Sequence, residues 1–299
     1  MTVLVVGNAV LDTSFEVPRL PLPGESILAD AVRDDLGGKG LNQAVAAARA
    51  GAVTIMSASV GDDEPAVRVR SRLSAEGISS DHLIANEGSS DRTTVFVMPD
   101  GENAIVTSAL KSRSVLAKDV DGAFGGLGPG DVLLMQGNLS QHTTLALAEL
   151  ATLQGMKVVL NPSPISFDYT EIWPHVAVSV LNEDECIVLS GRPDVESGAQ
   201  HLRGQGVRAV VVTRGPRSVL IVEGSRSTEV EVPRVEAVDT TGAGDVFCGV
   251  LAAGVEAGMD LEDSGRWAAR GASITVTRPG ATAAAPTALE LTSLRHDRV

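Results

Sequence analysis

Two glycine-rich stretches carry the residue types that phosphate chemistry needs. The first, Asp239 to Asp245 (DTTGAGD), sets Gly242 and Gly244 around Ala243, so that consecutive backbone N–H groups can converge on one point. The run behind it, Ala243 to Ala257, is predicted to be helical, and a helix N-terminus adds about half a positive charge at that point. Asp245 follows those amides directly. An anion hole beside a carboxylate is what phosphoryl transfer to an alcohol requires: donors for the transferred group and an acceptor for the hydroxyl proton. The same spacing also fits a glycine-rich turn with an N-capping Asp.

The second stretch, Gly37 to Ala44 (GGKGLNQA), leads into a predicted helix over Asn42 to Ala50. Gly38 and Gly40 let backbone approach a polyhydroxylated ligand closely, while Lys39 and Asn42 offer hydrogen bonds. A loop-to-helix turn of no special function has the same composition. Other nucleotide fingerprints are missing. Gly38-Lys39 is followed by Gly40, so no G-x-x-x-x-G-K-[ST] forms, and no G-x-G-x-x-G follows a strand.

The elements that must position these stretches read as α/β. Val3 to Gly7 is a continuous β-branched run, as in a strand buried on both faces. Strands are predicted over Thr54 to Val60, Asp131 to Gln136, Lys157 to Leu160, Ala177 to Leu181 and Ala209 to Thr213. Helices are predicted over Glu64 to Glu76, Thr143 to Gln154, Val195 to Gln205 and Leu261 to Thr275. This alternation indicates a mostly parallel central sheet covered by helices on both faces. Ser218 to Val222 and Ser227 to Val232 form a predicted hairpin. A second hairpin, Thr93 to Met98 and Asn103 to Ser108, turns on Pro99-Asp100-Gly101-Glu102, and a β-prone piece lies at Ser26 to Val32. The two excursions are expected to pair into a small lid sheet.

Composition excludes several functions. Of 299 residues, 24 are Lys or Arg and 38 are Asp or Glu, a net charge of −14. Such a chain repels nucleic-acid backbones and anionic membranes, so any phosphate site must be local. Five Phe, two Trp and one Tyr are too few for a single-strand stacking platform. Cys186 and Cys248 form no C-x-x-C pair, which suits a reducing cytosol, and no apolar run approaches the roughly 18 residues of a membrane span. The histidines form no metal-ligand spacing.

Taken together, the two stretches make the chain resemble the ribokinase-like, or phosphofructokinase B-type, carbohydrate kinases, most closely the ribokinase branch. The similarity runs from Val3 to about Pro286. Further landmarks fall in that family's order: Pro23-Gly24-Glu25, Gly61-Asp62-Asp63, Asn161-Pro162-Ser163-Pro164, Asn182-Glu183-Asp184-Glu185 and Val212-Thr213-Arg214-Gly215. The resemblance implies one ribokinase-like domain over 1–299, with lid strands inserted within about 13–36 and 92–109. It implies an ATP-dependent kinase acting on a hydroxymethyl group of a pentose or related sugar. Nucleosides are the alternative acceptors, and a catalytically silent sugar-binding protein is the alternative outside enzymes.

The resemblance also implies roles. Asp245 matches the base, and Gly242, Ala243 and Gly244 match the anion hole. Asp12, Gly38, Lys39, Gly40 and Asn42 match sugar contacts, with Asn138 where an acidic contact is usual. Thr213, Gly215 and Ser218 match the nucleotide side together with Gly244 and Asn182. Asn182 and Glu185 match the motif that organises Mg²⁺ through water; read alone, they are a helix cap or surface pair. Asp239, Thr241, Thr275, Arg278 and Gly280 match a K⁺ loop. Val10 stands where the ribokinase branch has Asn, so the acceptor hydroxyls that can be satisfied differ. Lys111 and Arg113, beside the lid hairpin, read as solvated charges, with contact to a phosphate or acidic group on the substrate as the alternative. A cytoplasmic homodimer joined through the lid is expected, with no nucleic-acid or membrane partner.

Overall fold

The computed structural model describes residues 1–99 and 103–296. The Asp100-Gly101-Glu102 part of the expected hairpin turn lies outside them. The chain begins with β1 (Thr2–Gly7), β2 (Val10–Glu16), β3 (Ala31–Gly37) and α1 (Lys39–Arg49), followed by β4 (Val53–Val60) and α2 (Glu64–Ala75). Next come β5 (Ile84–Ala85), β6 (Arg92–Val97) and β7 (Asn103–Thr107), then the short helices α3 (Leu110–Ser114) and α4 (Ala117–Val120). The regular part runs β8 (Val132–Gln136), α5 (Gln141–Leu153), β9 (Lys157–Asn161), β10 (Val176–Asn182), α6 (Glu183–Ser190), α7 (Val195–Gly204) and β11 (Ala209–Thr213). The hairpin β12 (Ser218–Glu223) and β13 (Arg226–Glu231) precedes α8 (Ala243–Glu256), α9 (Leu261–Thr275) and α10 (Ala288–His296).

Nine strands form the main sheet, in the order β13-β12-β11-β10-β9-β8-β1-β4-β5. All neighbours from β11 to β5 are parallel, and β12 pairs antiparallel with both β11 and β13. Uninterrupted apolar strands are what this architecture demands, because helices cover both faces. The alternation of side chains divides each run between two cores. Val3 and Val5 join the core beneath α1, α8 and α9, while Leu4 and Val6 join the core beneath α5 and α7. Among the described residues no helix is long and apolar enough to cross a membrane.

The smaller sheet has the order β3-β2-β6-β7, with β2 and β6 parallel and the outer pairs antiparallel. The structure corrects two sequence expectations here. The strand lies at Ala31–Gly37 rather than Ser26 to Val32, and β2 begins at Val10, ahead of the 13–36 stretch. Residues 26–30 lie outside the strand, and of these Asp30 N–H donates to the Glu16 carbonyl at the end of β2. The charged run Val32 to Asp35 can be a strand because it is an exposed edge whose backbone pairs with β2.

Helix α1 starts at Lys39, three residues before the expected start, so Asn42 and Gln43 lie near its N-terminus. It crosses α8 at Gly249, where an added Cβ would stand 2.4 Å from the Gln43 carbonyl oxygen and 2.6 Å from Ala46 Cβ. No side chain fits between the two backbones. Gly249→Ala should therefore lower stability by about 1–3 kcal/mol, seen as a lower urea midpoint at unchanged slope; an unaltered midpoint would mean that the crossing is looser than described.

Candidate functional site

Five adjacent parallel strands end on the residues Thr213, Asn182, Asn161, Gln136 and Gly7. These carboxyl ends form the edge at which open α/β sheets bind ligands. Facing them are the N-termini of α1 and α8, and neither is closed by a side chain. Their N-cap residues are Gly38 (φ +96°) and Gly242 (φ +79°), whereas α2, α5, α6, α7 and α9 are each capped by Asp, Ser or Asn. Both glycines are required. Each occupies the left-handed region, and a Cβ on Gly242 would stand 2.9 Å from Ala281 Cα. Gly40 lies so close to the Asn8 backbone that a Cβ would be 2.6 Å from its nitrogen. Two partial positive ends thus meet in a protein of charge −14.

Asp245, in the first turn of α8, is 7% exposed and stands at this meeting point. Asn42 Nδ2 donates to its Oδ2 and Gln43 Nε2 donates to its Oδ1, both at 3.0 Å. Lys39 Nζ lies 4.0 Å from Oδ1. The Asp245 charge holds the Lys39 ammonium above its ordinary pKa against the opposing effect of burial. The Asn42 amide is fixed in turn by Thr282, whose hydroxyl lies 2.5 Å from Asn42 Oδ1 and 3.0 Å from the Leu36 carbonyl in β3. Sequence reasoning assigns no site role to Gln43, Gln136, Asn161 or Thr282, although Gln43 lies in the Gly37 to Ala44 stretch, Asn161 opens the Asn161-Pro162-Ser163-Pro164 landmark, and Gln136 and Asn161 end otherwise apolar strands.

Asp12 of β2 reaches the same space, and a Cβ on Gly37 would lie against its carboxylate. Burial raises its pKa to about 6; a hydrogen bond from Thr93 opposes this, and the charges of Asp35 and Asp245 add to it. Asn138, just past β8, has a buried Oδ1 with no hydrogen-bond partner.

On the other side of α8 lies a cavity of about 490 Å³. Thr213, Gly215, Ala243 and Gly244 border it, and its walls are largely apolar, including Val219, Val232, Phe247 and Ala269. Ser218 is placed elsewhere: its hydroxyl meets the Arg214 guanidinium, and it does not line the cavity. Asn182 and Glu185 form a reciprocal capping box, with Asn182 N–H donating to Glu185 Oε2 and Glu185 N–H to Asn182 Oδ1. One carboxylate oxygen of Glu185 takes no part in that box, and its charge reaches Lys39 and Cys248. A hard cation held through water fits this donor set.

The expected K⁺ loop is organised differently from a side-chain cage. Asp239 accepts the N–H of Thr241 at 2.9 Å and that of Gly280 at 2.8 Å, strapping the two segments together. Burial raises its pKa, but the Thr241 hydroxyl and the two N–H donors outweigh that and hold it below the usual carboxylate range. Thr275 donates its hydroxyl to the Gly271 carbonyl, and Arg278 pairs with Glu290. Among the described residues no group of three or more His, Cys, Asp or Glu could hold a metal.

Residues 2–288 match the model of the pfkB family of carbohydrate kinases. A deoxyribokinase from Salmonella typhi is 30% identical, the alignment covering 96% of each chain. The solved ribokinase of Thermotoga maritima superposes with a TM-score of 0.92 at 27% identity over 99% of both chains. Ribokinase from Cryptococcus neoformans in complex with ADP gives a TM-score of 0.86 at 26% identity, covering 98% of this chain and 99% of that one.

Asp12 gives the site a measurable pH signature. Its pKa in the folded chain is about 6 against an ordinary 3.8, so the folded state holds this proton more tightly than the unfolded state does. The stability associated with the protonated carboxyl is complete below about pH 4 and is lost as pH rises to about 6. Asp12→Asn should therefore be more stable than the parent by about 1–3 kcal/mol above about pH 6, and no more stable below about pH 4. Urea midpoints of both proteins at the two pH values check this; the same gap at both would contradict it.

Proposed function

This chain belongs to the pfkB family of carbohydrate kinases, and on that premise we propose that it transfers the γ-phosphoryl group of ATP to a hydroxymethyl group of a pentose or related sugar. The observation that carries the proposal is Asp245: a nearly buried carboxylate, held by two amides from α1, beside the unobstructed N-terminus of α8.

In this reading the adenosine part of ATP occupies the apolar cavity bordered by Thr213 and Gly215. The phosphates run toward the amides of Gly242, Ala243 and Gly244. The sugar lies between those amides and Asp12, with Gly38, Lys39, Gly40, Asn42 and Asn138 around it. Asp245 accepts the hydroxyl proton as the sugar oxygen bonds to the γ-phosphorus and the bond to the ADP oxygen breaks. Mg²⁺, held through water near Glu185 and Asn182, would offset phosphate charge. K⁺ between 239–241 and 275–280 would act by shaping the 242–244 loop. The smaller sheet closes over the sugar and excludes water, so that donors act in a low dielectric.

Val10 lies on the same face of β2 as Asp12, two residues away, and offers an alkyl group there. This supports a sugar with fewer hydroxyls to satisfy on that side, and a relative of 30% identity is named a deoxyribokinase. ADP release should be screened with D-ribose, 2-deoxy-D-ribose, other pentoses, ketohexoses and nucleosides, with and without K⁺. With the best acceptor, Asp245→Asn should lose at least about 10²-fold in kcat while keeping its fold by circular dichroism; turnover near the parent's would remove Asp245 from the base's role.

The outer face of the smaller sheet supports a homodimer. By register, Val32, Phe15, Phe96, Ala104 and Val106 share the face opposite Asp12, and the two Phe rings stack at 5.9 Å. Val32 and Val106 are 55% and 66% exposed. A second copy of this face is the natural cover. Light scattering at micromolar concentration should give twice the chain mass, and Val106→Asp the single mass; a monomeric parent would refute the dimer.

A further inference from the structure

A chain of buried amides runs beneath Asp245, and every link in it has a determined direction. Asn161 Nδ2 donates to the Val180 carbonyl at 3.0 Å, which turns Asn161 Oδ1 toward Gln43. Asp245 Oδ1 is an acceptor as well, so Gln43 must present Nε2 to both, at 3.2 Å and 3.0 Å. Gln43 Oε1 then faces the other way and takes the Nε2 of Gln136 at 2.9 Å. Gln43 and Gln136 are both 0% exposed. The chain ends on Gln136 Oε1, a buried acceptor with no partner. That atom occupies space that a side chain at position 7 would need, since a Cβ on Gly7 would lie 1.9 Å from it.

An unpartnered buried acceptor lowers stability and an apolar side chain of the same length would not, so the folded core alone gives no reason for Gln at 136. The amide's other end supplies one. Without the donor from Gln136, Gln43 would be free to rotate its amide and turn an oxygen toward the carboxylate. From this we infer that Gln43 is a positioning residue that holds the Asp245 carboxylate in its working orientation, and that Gln136 and Asn161 set the direction of the Gln43 amide. Neither Gln43 nor Gln136 is placed against the sugar or nucleotide. Their effect runs through Asp245, and the inference rests on the reading of Asp245 as the base.

Steady-state kinetics with D-ribose or 2-deoxy-D-ribose, whichever is turned over, separate the two claims. Gln43→Leu should lower kcat about 10- to 100-fold and leave KM for sugar and ATP within about twofold of the parent's. Added to Asp245→Asn, it should cause no further loss, because both act on one function. Gln136→Met should lower kcat about 3- to 10-fold with a thermal midpoint equal to or above the parent's. Gln43→Glu, which replaces the donor by an acceptor, should regain activity relative to the parent as pH falls from about 8 to about 6 and the new carboxyl takes up a proton.

Parental kcat in Gln43→Leu, or losses that multiply with Asp245→Asn, would overturn the inference while leaving the base reading intact. Full turnover by Asp245→Asn would overturn the base reading first and this inference with it. If Gln43→Leu does not fold, Gln136→Met decides: a lowered midpoint with unchanged kcat assigns the amides to structure alone.

Discussion

The site depends on one close crossing of two helices. Where α1 meets α8 at Gly249, backbone touches backbone, and this proximity lets two amides of α1 reach a carboxylate of α8 within hydrogen-bond distance. Any wider crossing would put the donors out of range. The packing of two small-residue helices and the geometry of the carboxylate are therefore the same constraint. The alanines of α1 and the glycines of α8 are as much a part of the site as the polar residues they carry.

The crossing also resolves an electrostatic difficulty. A chain with 14 more acidic than basic residues has no general attraction for a triphosphate. Positive potential is instead concentrated at the two helix ends, each begun on a glycine in the left-handed region, so that no side-chain cap competes for the first-turn amides. Lys39 adds a full charge at the same place. Asp12, by contrast, brings a carboxylate into this space, and its raised pKa reflects the difficulty of ionising there.

Much of this was legible in residue order. The parallel sheet follows from its apolar runs, and the glycine–carboxylate stretch at 239–245 marks the start of α8. What escaped did so for physical reasons. The strand β3 carries charge on an exposed edge and β2 mixes polar with apolar residues, so their strand character comes from pairing partners, one of them β6 some eighty residues later. Gln43, Gln136 and Asn161 converge only because three separate elements end at one sheet edge, and no local spacing encodes that. Asn182 and Glu185 show the converse. Their spacing is that of a capping box, and the structure has one, so any metal role would come in addition to a structural one.

The hydrogen bonds on Asp245 join residues 202 and 203 positions apart, and Thr282 reaches Asn42 across 240. Contacts of such separation carry the largest loop-closure cost and come late in folding. As the chain is synthesised, the residues of α1 and the ends of β1, β8 and β9 exist long before α8 emerges. Until then they hold amides with nothing to orient. A chain that stops before the Gly242 N-cap of α8 thus has neither the Gly242 to Gly244 amides nor the Asp245 carboxylate. The full arrangement around Asp245 therefore forms only once α8 and the segment carrying Thr282 have both been made.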